Sequence, residues 1–299
     1  EIETLLNRDL PEEERIPLIE KFRKMNETMD FYVLYNRFLK KEGYQMLPRR
    51  PLEKRKLRYE DVYPVLYLKY RLSRQAERSN IKHLVIDEMQ DYSRLQYLII
   101  RRMFSCKMTI LGDRAQTMAD QQQDVLQFLP GIFGKDLRRI EMRKSYRNTV
   151  EIASYAANLI GVTDLELFER HGMPVVERDV TDLETALREA VDTLFPEEKT
   201  YETAAVIVPD EKTAERAYLI LREILAEKDF DCEKRLSWLN RDSSSFKKGL
   251  TVTTFYLAKG LEFDQVFSIF PKDEKREMMM QAQYIAATRA LHELRVYHI

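Results

Sequence analysis

From residue 1 to about residue 43 apolar side chains recur at helical spacing, as in Phe31, Leu34, Tyr35, Phe38 and Leu39, and the pattern predicts helices there. Residues 49–58 then carry six basic side chains against one acidic. A solvated linker between helices is the expectation for that run, with a phosphate contact as the alternative. Residues 59–72 return to helical periodicity. Residues 83–86 form a short apolar run that predicts a buried strand delivering Asp87 and Glu88 at its C-terminal end. An amphipathic helix over 93–104 and a second buried strand over 108–111, ending in Gly112-Asp113, complete a strand-helix-strand order. That order predicts a right-handed crossover and a parallel sheet.

Pro130, Gly131 and Gly134 punctuate the pattern near 130–135 and mark a lobe boundary. Beyond it the alternation resumes. Strands are expected at 139–142, 204–208, 250–255, 265–269 and 294–298, and helices at 150–160, 183–194, 213–227 and 278–291. Alternation of this kind predicts an α/β domain with a largely parallel sheet. The division reads as a helical segment over 1–80, part of one lobe over 81–134 and a second lobe over 135–299.

Composition narrows the classes without choosing one. The 299 residues are 44% hydrophobic and 33% charged, the balance of a folded chain rather than a disordered one. Forty-nine basic residues face fifty acidic ones, so any polyanion surface must arise from local clustering. Cys106 and Cys232 are far apart and have no metal-ligand spacing, which argues against a disulfide framework or zinc site and for a reducing, cytoplasmic setting. No window approaches a membrane span and residues 1–9 are too polar for a signal peptide. The start at Glu1, inside a charged helical pattern, reads as a piece of a longer chain.

The chemistry concentrates in a few segments. Val85-Ile86-Asp87-Glu88-Met89-Gln90-Asp91 places acidic side chains where an α/β sheet presents its ligand crevice. An aspartate there can hold Mg²⁺ on the terminal phosphates of a nucleotide, and an adjacent glutamate can orient the attacking water. Helix capping explains such acids equally well. Gly112-Asp113-Arg114-Ala115-Gln116 follows from the next strand and, alone, is an ordinary turn.

In order along the chain, these segments resemble the motifs of superfamily 1 helicases of the UvrD/Rep type, a resemblance that covers roughly residue 59 to the end. Residues 85–91 are similar to the family's Asp-Glu-x-Gln motif and 112–116 to its Gly-Asp-x-x-Gln element. Ser145-Tyr146-Arg147-Asn148 is similar to the Asn-Tyr-Arg-Ser motif. Lys259-Gly260-Leu261-Glu262-Phe263-Asp264 matches the motif that touches nucleotide and nucleic acid, and Tyr284-Ile285-Ala286-Ala287-Thr288-Arg289-Ala290 the final one. The resemblance implies P-loop NTPase (RecA-like) lobes, one partial and one complete, that bind ATP and Mg²⁺ and act on single-stranded or tailed duplex DNA. It implies Asp87 at the metal, Glu88 at the water and Gln116 at the terminal phosphate. Arg147 and Arg289 would be arginine fingers. Gln90, Asp113, Gly260 and Glu262 would serve the nucleotide, and Thr254 and Lys259 the nucleic acid. A surface ion pair is the alternative fate of Arg147 and Arg289.

Three departures qualify the resemblance. None of the eight glycines opens a Gly-x-x-x-x-Gly-Lys-Ser/Thr phosphate loop, which is expected upstream of Glu1. The span from Arg147 to Gly260 is too short for a large inserted domain. Thr117-Met118-Ala119-Asp120 lacks the aromatic residues that stack bases. Leu57-Arg58-Tyr59-Glu60-Asp61 and Leu66-Tyr67-Leu68-Lys69 look like the corresponding region of HelD-type ATPases, which act on bacterial RNA polymerase. A helicase or translocase, a HelD-like factor and a non-hydrolysing binding module are the three readings carried forward.

Overall fold

The computed structural model describes residues 10–25, 28, 30–72, 80–113, 116, 125–163, 166–228, 231–243, 247–272 and 277–299. They form two compact units. The first comprises the described residues of Glu1–Asp87, Tyr92–Leu111 and Val125–Lys135; the second those of Glu88–Asp91, Gly112–Asp124 and Asp136–Ile299. The expectations for residues 1–9, Arg114, Ala115 and 117–120 fall outside the described residues.

In the first unit helices α1 (Glu12–Met25), α2 (Phe31–Lys41) and α3 (Tyr59–Leu72) precede strand β1 (His83–Ile86), helix α4 (Arg94–Met103), strand β2 (Lys107–Ile110) and helix α5 (Val125–Phe133). Asp30 caps α2 by accepting from the Tyr32 and Val33 amides, a contribution of about 1 kcal/mol. Tyr32, Tyr35 and Leu39 turn one face of α2 inward, where Leu57, Val65 and Leu68 meet it, while Phe38 stays half exposed. Asp61, 1% exposed, accepts from the Tyr35 hydroxyl at 2.7 Å and the Arg58 Nε at 2.6 Å. Arg55 pairs with Asp30 at 2.7 Å and lies over the Tyr32 ring. Part of the basic 49–58 run thus holds helices together and is not a free linker. Ser93 and Gln96 form a reciprocal capping box that starts α4.

Strands β1 and β2 pair in parallel, as the strand-helix-strand order predicts. The expectation that both are buried needs correction: β1 alternates in exposure and Val85 is 60% exposed. Their sheet has two strands among the described residues, so little covers its second face. Pro130 and Gly131 lie inside α5, and this part of the first unit ends at Lys135.

The second unit runs β3 (Lys144–Ser145), α6 (Val150–Leu159), β4 (Glu166–Leu167), β5 (Val176–Asp179), α7 (Leu183–Asp192), β6 (Thr203–Val208), α8 (Glu211–Ala226), α9 (Cys232–Arg235), β7 (Leu236–Trp238), β8 (Gly249–Thr254), β9 (Phe263–Phe270), α10 (Glu277–Ala287) and β10 (Ala290–His298). Its main sheet has the order β5-β10-β9-β6-β8-β7, parallel throughout. Strand β6 shows how it is sandwiched. Ala204, Val206 and Val208 enter a core with α7 and α8, while Ala205 and Ile207 enter one with α6 and α10. Period-two alternation between two covered faces produces the continuous apolar run legible in the sequence.

Two expectations for this unit are overturned. Residues 139–142 form no strand, with Ile140 and Met142 strongly exposed; their apolar-polar alternation has no neighbouring strand to pair with. The final helix stops at Ala287, not at 291, because Ala290 and Leu291 begin β10 beside β9. No helix among the described residues is long and apolar enough to cross a membrane.

Candidate functional site

The Leu111 amide donates to the Ile86 carbonyl, closing the ladder where β1 ends. Asp87 follows, exposed. Glu88 takes φ +52°, a left-handed conformation that costs a non-glycine residue on the order of 1 kcal/mol or more and clusters at functional sites. Within the second unit, Gln90 is buried and reads two neighbours at once. Its Nε2 donates to Glu88 Oε2 at 2.5 Å and its Oε1 accepts from the Asp113 amide at 3.1 Å. A Cβ on Gly112 would stand 2.5 Å from Gln90 Oε1 and from Met89 Cγ, so only glycine lets this turn close on the acidic motif.

Asp113 Oδ2 accepts from Gln116 Nε2 at 3.0 Å and from the Tyr284 hydroxyl at 2.9 Å. Burial, reinforced by Asp113, pushes the Tyr284 phenol above its ordinary range. Gln116 is 7% exposed, and its Oε1 has no hydrogen-bond partner among the described residues. Lys259 Nζ meets Asp91 Oδ1 at 2.6 Å. Gly260, next along, adopts φ +77°.

The two arginines behave differently. Arg147 Nε pairs with Glu262 Oε1 at 2.7 Å with both side chains nearly half exposed, the surface ion pair weighed from sequence. Arg289 is 2% exposed. Its guanidinium donates to the Ile285 and Leu261 carbonyls and the Thr288 hydroxyl, and no carboxylate among the described residues lies within ion-pair distance. Burial and the charge of Arg147 lower its pKa from the ordinary value, while Glu88, Glu262 and Tyr284 oppose that shift. A buried cation held by neutral oxygens keeps most of its charge available to an incoming anion.

Residues outside the expected set hold this arrangement. Asn148 Nδ2 donates to the Ala290 carbonyl at 2.6 Å and the Thr288 carbonyl at 3.3 Å. Arg170 Nη2 reaches both the Arg147 carbonyl and, at 2.8 Å, the Leu291 carbonyl. Together they clamp the segment carrying Arg147 to the segment carrying Arg289. Asn148, Tyr284 and Asp91 lie in segments the motifs mark; Arg170 carries no motif signal.

Thr254 is 1% exposed at the end of β8, its Oγ1 without a hydrogen-bond partner among the described residues. Asp264, last residue of the Lys259–Asp264 motif, accepts from the Glu202 and Thr203 amides and the Thr203 hydroxyl. Burial, the largest single effect, raises its pKa, but these bonds together with His292 outweigh it and hold the carboxyl below the usual range. Its work is to fix the start of β6. Among the described residues no group of three or more His, Cys, Asp or Glu side chains is arranged to hold a metal.

Residues 2–118 match the family model of the UvrD/REP helicase N-terminal domain. No curated protein matches the chain. Similar solved structures include the C-terminal domain of a "possible DNA helicase" from Lactobacillus plantarum WCFS1, at 23% identity and TM-score 0.39, covering 52% of this chain and 88% of that one. The PRRSV helicase is similar at 17% identity and TM-score 0.38, covering 73% of this chain and 35% of its own. An arterivirus nonstructural protein 10 helicase solved with DNA shares 14% identity at TM-score 0.39, with 73% and 39% covered. The chain therefore spans little more than a third of the viral helicases' length. Over residues 2–118, well under half of its length, the chain is similar to the N-terminal domain of UvrD/REP helicases.

Proposed function

We propose that the chain supplies the hydrolytic acids and the arginine fingers of an ATP-driven, superfamily 1 DNA helicase or translocase. The observation that carries this reading is Arg289, a buried cation with no bonded carboxylate that feels Glu88, Glu262 and Arg147. A surface arginine has no reason to be desolvated in this way; a group that must meet developing phosphate charge does.

The residues fit Mg-ATP in kind. Mg²⁺ is ordinarily held by one or two carboxylates together with phosphates and water, so Asp87 suffices without a protein cage. Mg²⁺ would neutralise charge on the terminal phosphates. Glu88, its carboxylate steadied by Gln90, would orient or deprotonate the attacking water. Gln116 gives one of its two Nε2 protons to Asp113, which leaves a second donor and the Oε1 acceptor for the terminal phosphate or the attacking water. Arg289 would neutralise the transferred phosphoryl group, and Arg147 would join it on leaving Glu262. Gln90 and Asp113 would act on the nucleotide by shaping the turn beneath it, Glu262 through its pairing with Arg147, and Gly260 through the left-handed turn it allows two residues earlier. Lys259 and Thr254 remain the proposed nucleic-acid residues.

The chain has no Gly-x-x-x-x-Gly-Lys-Ser/Thr segment, so these 299 residues alone are expected to show no ATP turnover. In the full-length protein Arg289→Ala is expected to slow hydrolysis about a thousandfold or more. Near-normal turnover would remove the finger role.

A second reading keeps the chemistry and changes the cargo. The elements of the second unit fill the span from Arg147 to Gly260 with one sheet and its helices, which leaves no large inserted domain there and favours a HelD-like ATPase acting on RNA polymerase. Co-purification with the polymerase, against unwinding of a tailed duplex, separates the two. A non-hydrolysing binding module would need neither a buried Arg289 nor an ordered Gln116.

A further inference from the structure

The first unit contains a cleft lined by none of the residues proposed to serve the nucleotide or the nucleic acid. It lies between the C-terminal ends of α3 and α4 and has a volume of about 360 Å³, within the range of sites that hold a ligand or a peptide side chain. Tyr67, Tyr70 and Leu98 line it together with Arg71, Arg101 and Arg102. Asp87 leaves the C-terminal end of β1, whereas α4 ends four residues before β2 begins. Because the two strands are parallel, the cleft sits at the opposite end of this sheet from the acidic motif.

Three guanidinium groups converge here without a carboxylate in the lining, and none of the three forms an ion pair with a described residue. Arg102 is held in place through Nε by the Tyr70 carbonyl at 3.2 Å, and Arg101 lies 6.0 Å from the centre of the Phe133 ring. Basic side chains at helix ends favour the helix dipole by a few tenths of a kcal/mol. That accounts for cations on each helix, but not for a hollow with aromatic and aliphatic walls between them.

We propose that this cleft docks an acidic segment of a partner protein, with one apolar side chain seated against Leu98 and the tyrosines and flanking carboxylates paired with Arg71 and Arg101. An apolar floor ringed by arginine and tyrosine is the composition of energetically dominant interface sites. The planar guanidinium matches a carboxylate in two-point contact. A concave pocket for a single anchor suits a peptide better than the open stacking track that a nucleic-acid strand requires. The proposal does not depend on the nucleotide site.

The test uses the full chain and a fluorescent synthetic peptide alternating glutamate with leucine, titrated by anisotropy at low and moderate salt. Binding is expected, weakening with salt, and falling on the order of tenfold in Arg71→Glu/Arg101→Glu; both positions are exposed, so folding is undisturbed. A peptide with serine in place of leucine is expected to bind several-fold more weakly to the unaltered protein, and a lysine version not to bind. Unchanged affinity in the arginine variant would overturn the site. An oligothymidylate of equal charge that binds more tightly than the peptide, and loses that affinity with the same substitutions, would overturn the assignment to a protein partner.

Discussion

At the scale of single residues, the site depends on how the backbone around Arg147 and Arg289 is held. Arg170 reaches a carbonyl in each segment, and Asn148, next to Arg147, reaches two carbonyls in the Arg289 segment. Arg170→Ala in the full-length protein is expected to lower the kcat of ATP hydrolysis on the order of tenfold with KM little changed, since misplacing a group that acts in the transition state costs rate and not ground-state binding. Arg170→Lys is expected to recover only part of the rate, because the ammonium sits on a different stem and lacks the fixed planar fork that places the guanidinium N–H groups. Steady-state kinetics on both variants checks this, and a loss confined to KM would contradict it. A second residue-scale expectation concerns acid. Glu151 accepts from the Gly172 amide at 2.9 Å and meets His171 Nδ1 at 2.9 Å; chiefly through His171, its pKa is held down at about 2, below the ordinary 4.5. A carboxyl depressed in the folded state lends stability that is full above its unfolded pKa and is lost as pH falls from about 4.5 toward 2. Glu151→Gln is therefore expected to flatten acid destabilisation in that window, measured by denaturant midpoints at several pH values.

Among the elements, β6 is the one on which the second unit turns. Its central position between β9 and β8 places Ile207 fully buried against α6 and α10. Ile207→Ala is expected to cost about 2–5 kcal/mol, read as a lowered denaturant midpoint with the slope unchanged. The same centrality explains what the chain reveals of itself. Strands β6, β8 and β9 are buried almost throughout, so β6 reads as a nearly continuous apolar run and β8 and β9 as apolar and β-branched runs interrupted by buried polar residues such as Thr251 and Gln265. Strand β5, Val-Glu-Arg-Asp at the sheet's edge, is held by its ladder to β10 and carries no apolar signature, and β3 and β4 are only two residues long. Residues 139–142 mislead in the opposite direction, since alternation describes a strand only where another strand is present to accept it. Candidate chemistry shows the same division: Asp87, Glu88, Arg147 and Arg289 lie in marked segments, whereas Arg170 acts through backbone carbonyls distant in sequence.

Over the whole molecule, fifty acidic and forty-nine basic residues nearly cancel, so function rests on where charge is concentrated. Glu88, Asp91, Asp113, Lys259, Glu262 and Arg289 belong to the second unit, together with the two short segments that follow the strands of the first. Such an arrangement gathers these acids and cations in the second unit, and no Gly-x-x-x-x-Gly-Lys-Ser/Thr segment occurs in these 299 residues. ATP turnover by the full-length protein with Glu88→Gln is the most direct measurement. The account predicts a fall of about a thousandfold with nucleotide affinity retained; turnover close to that of the unaltered protein would contradict it.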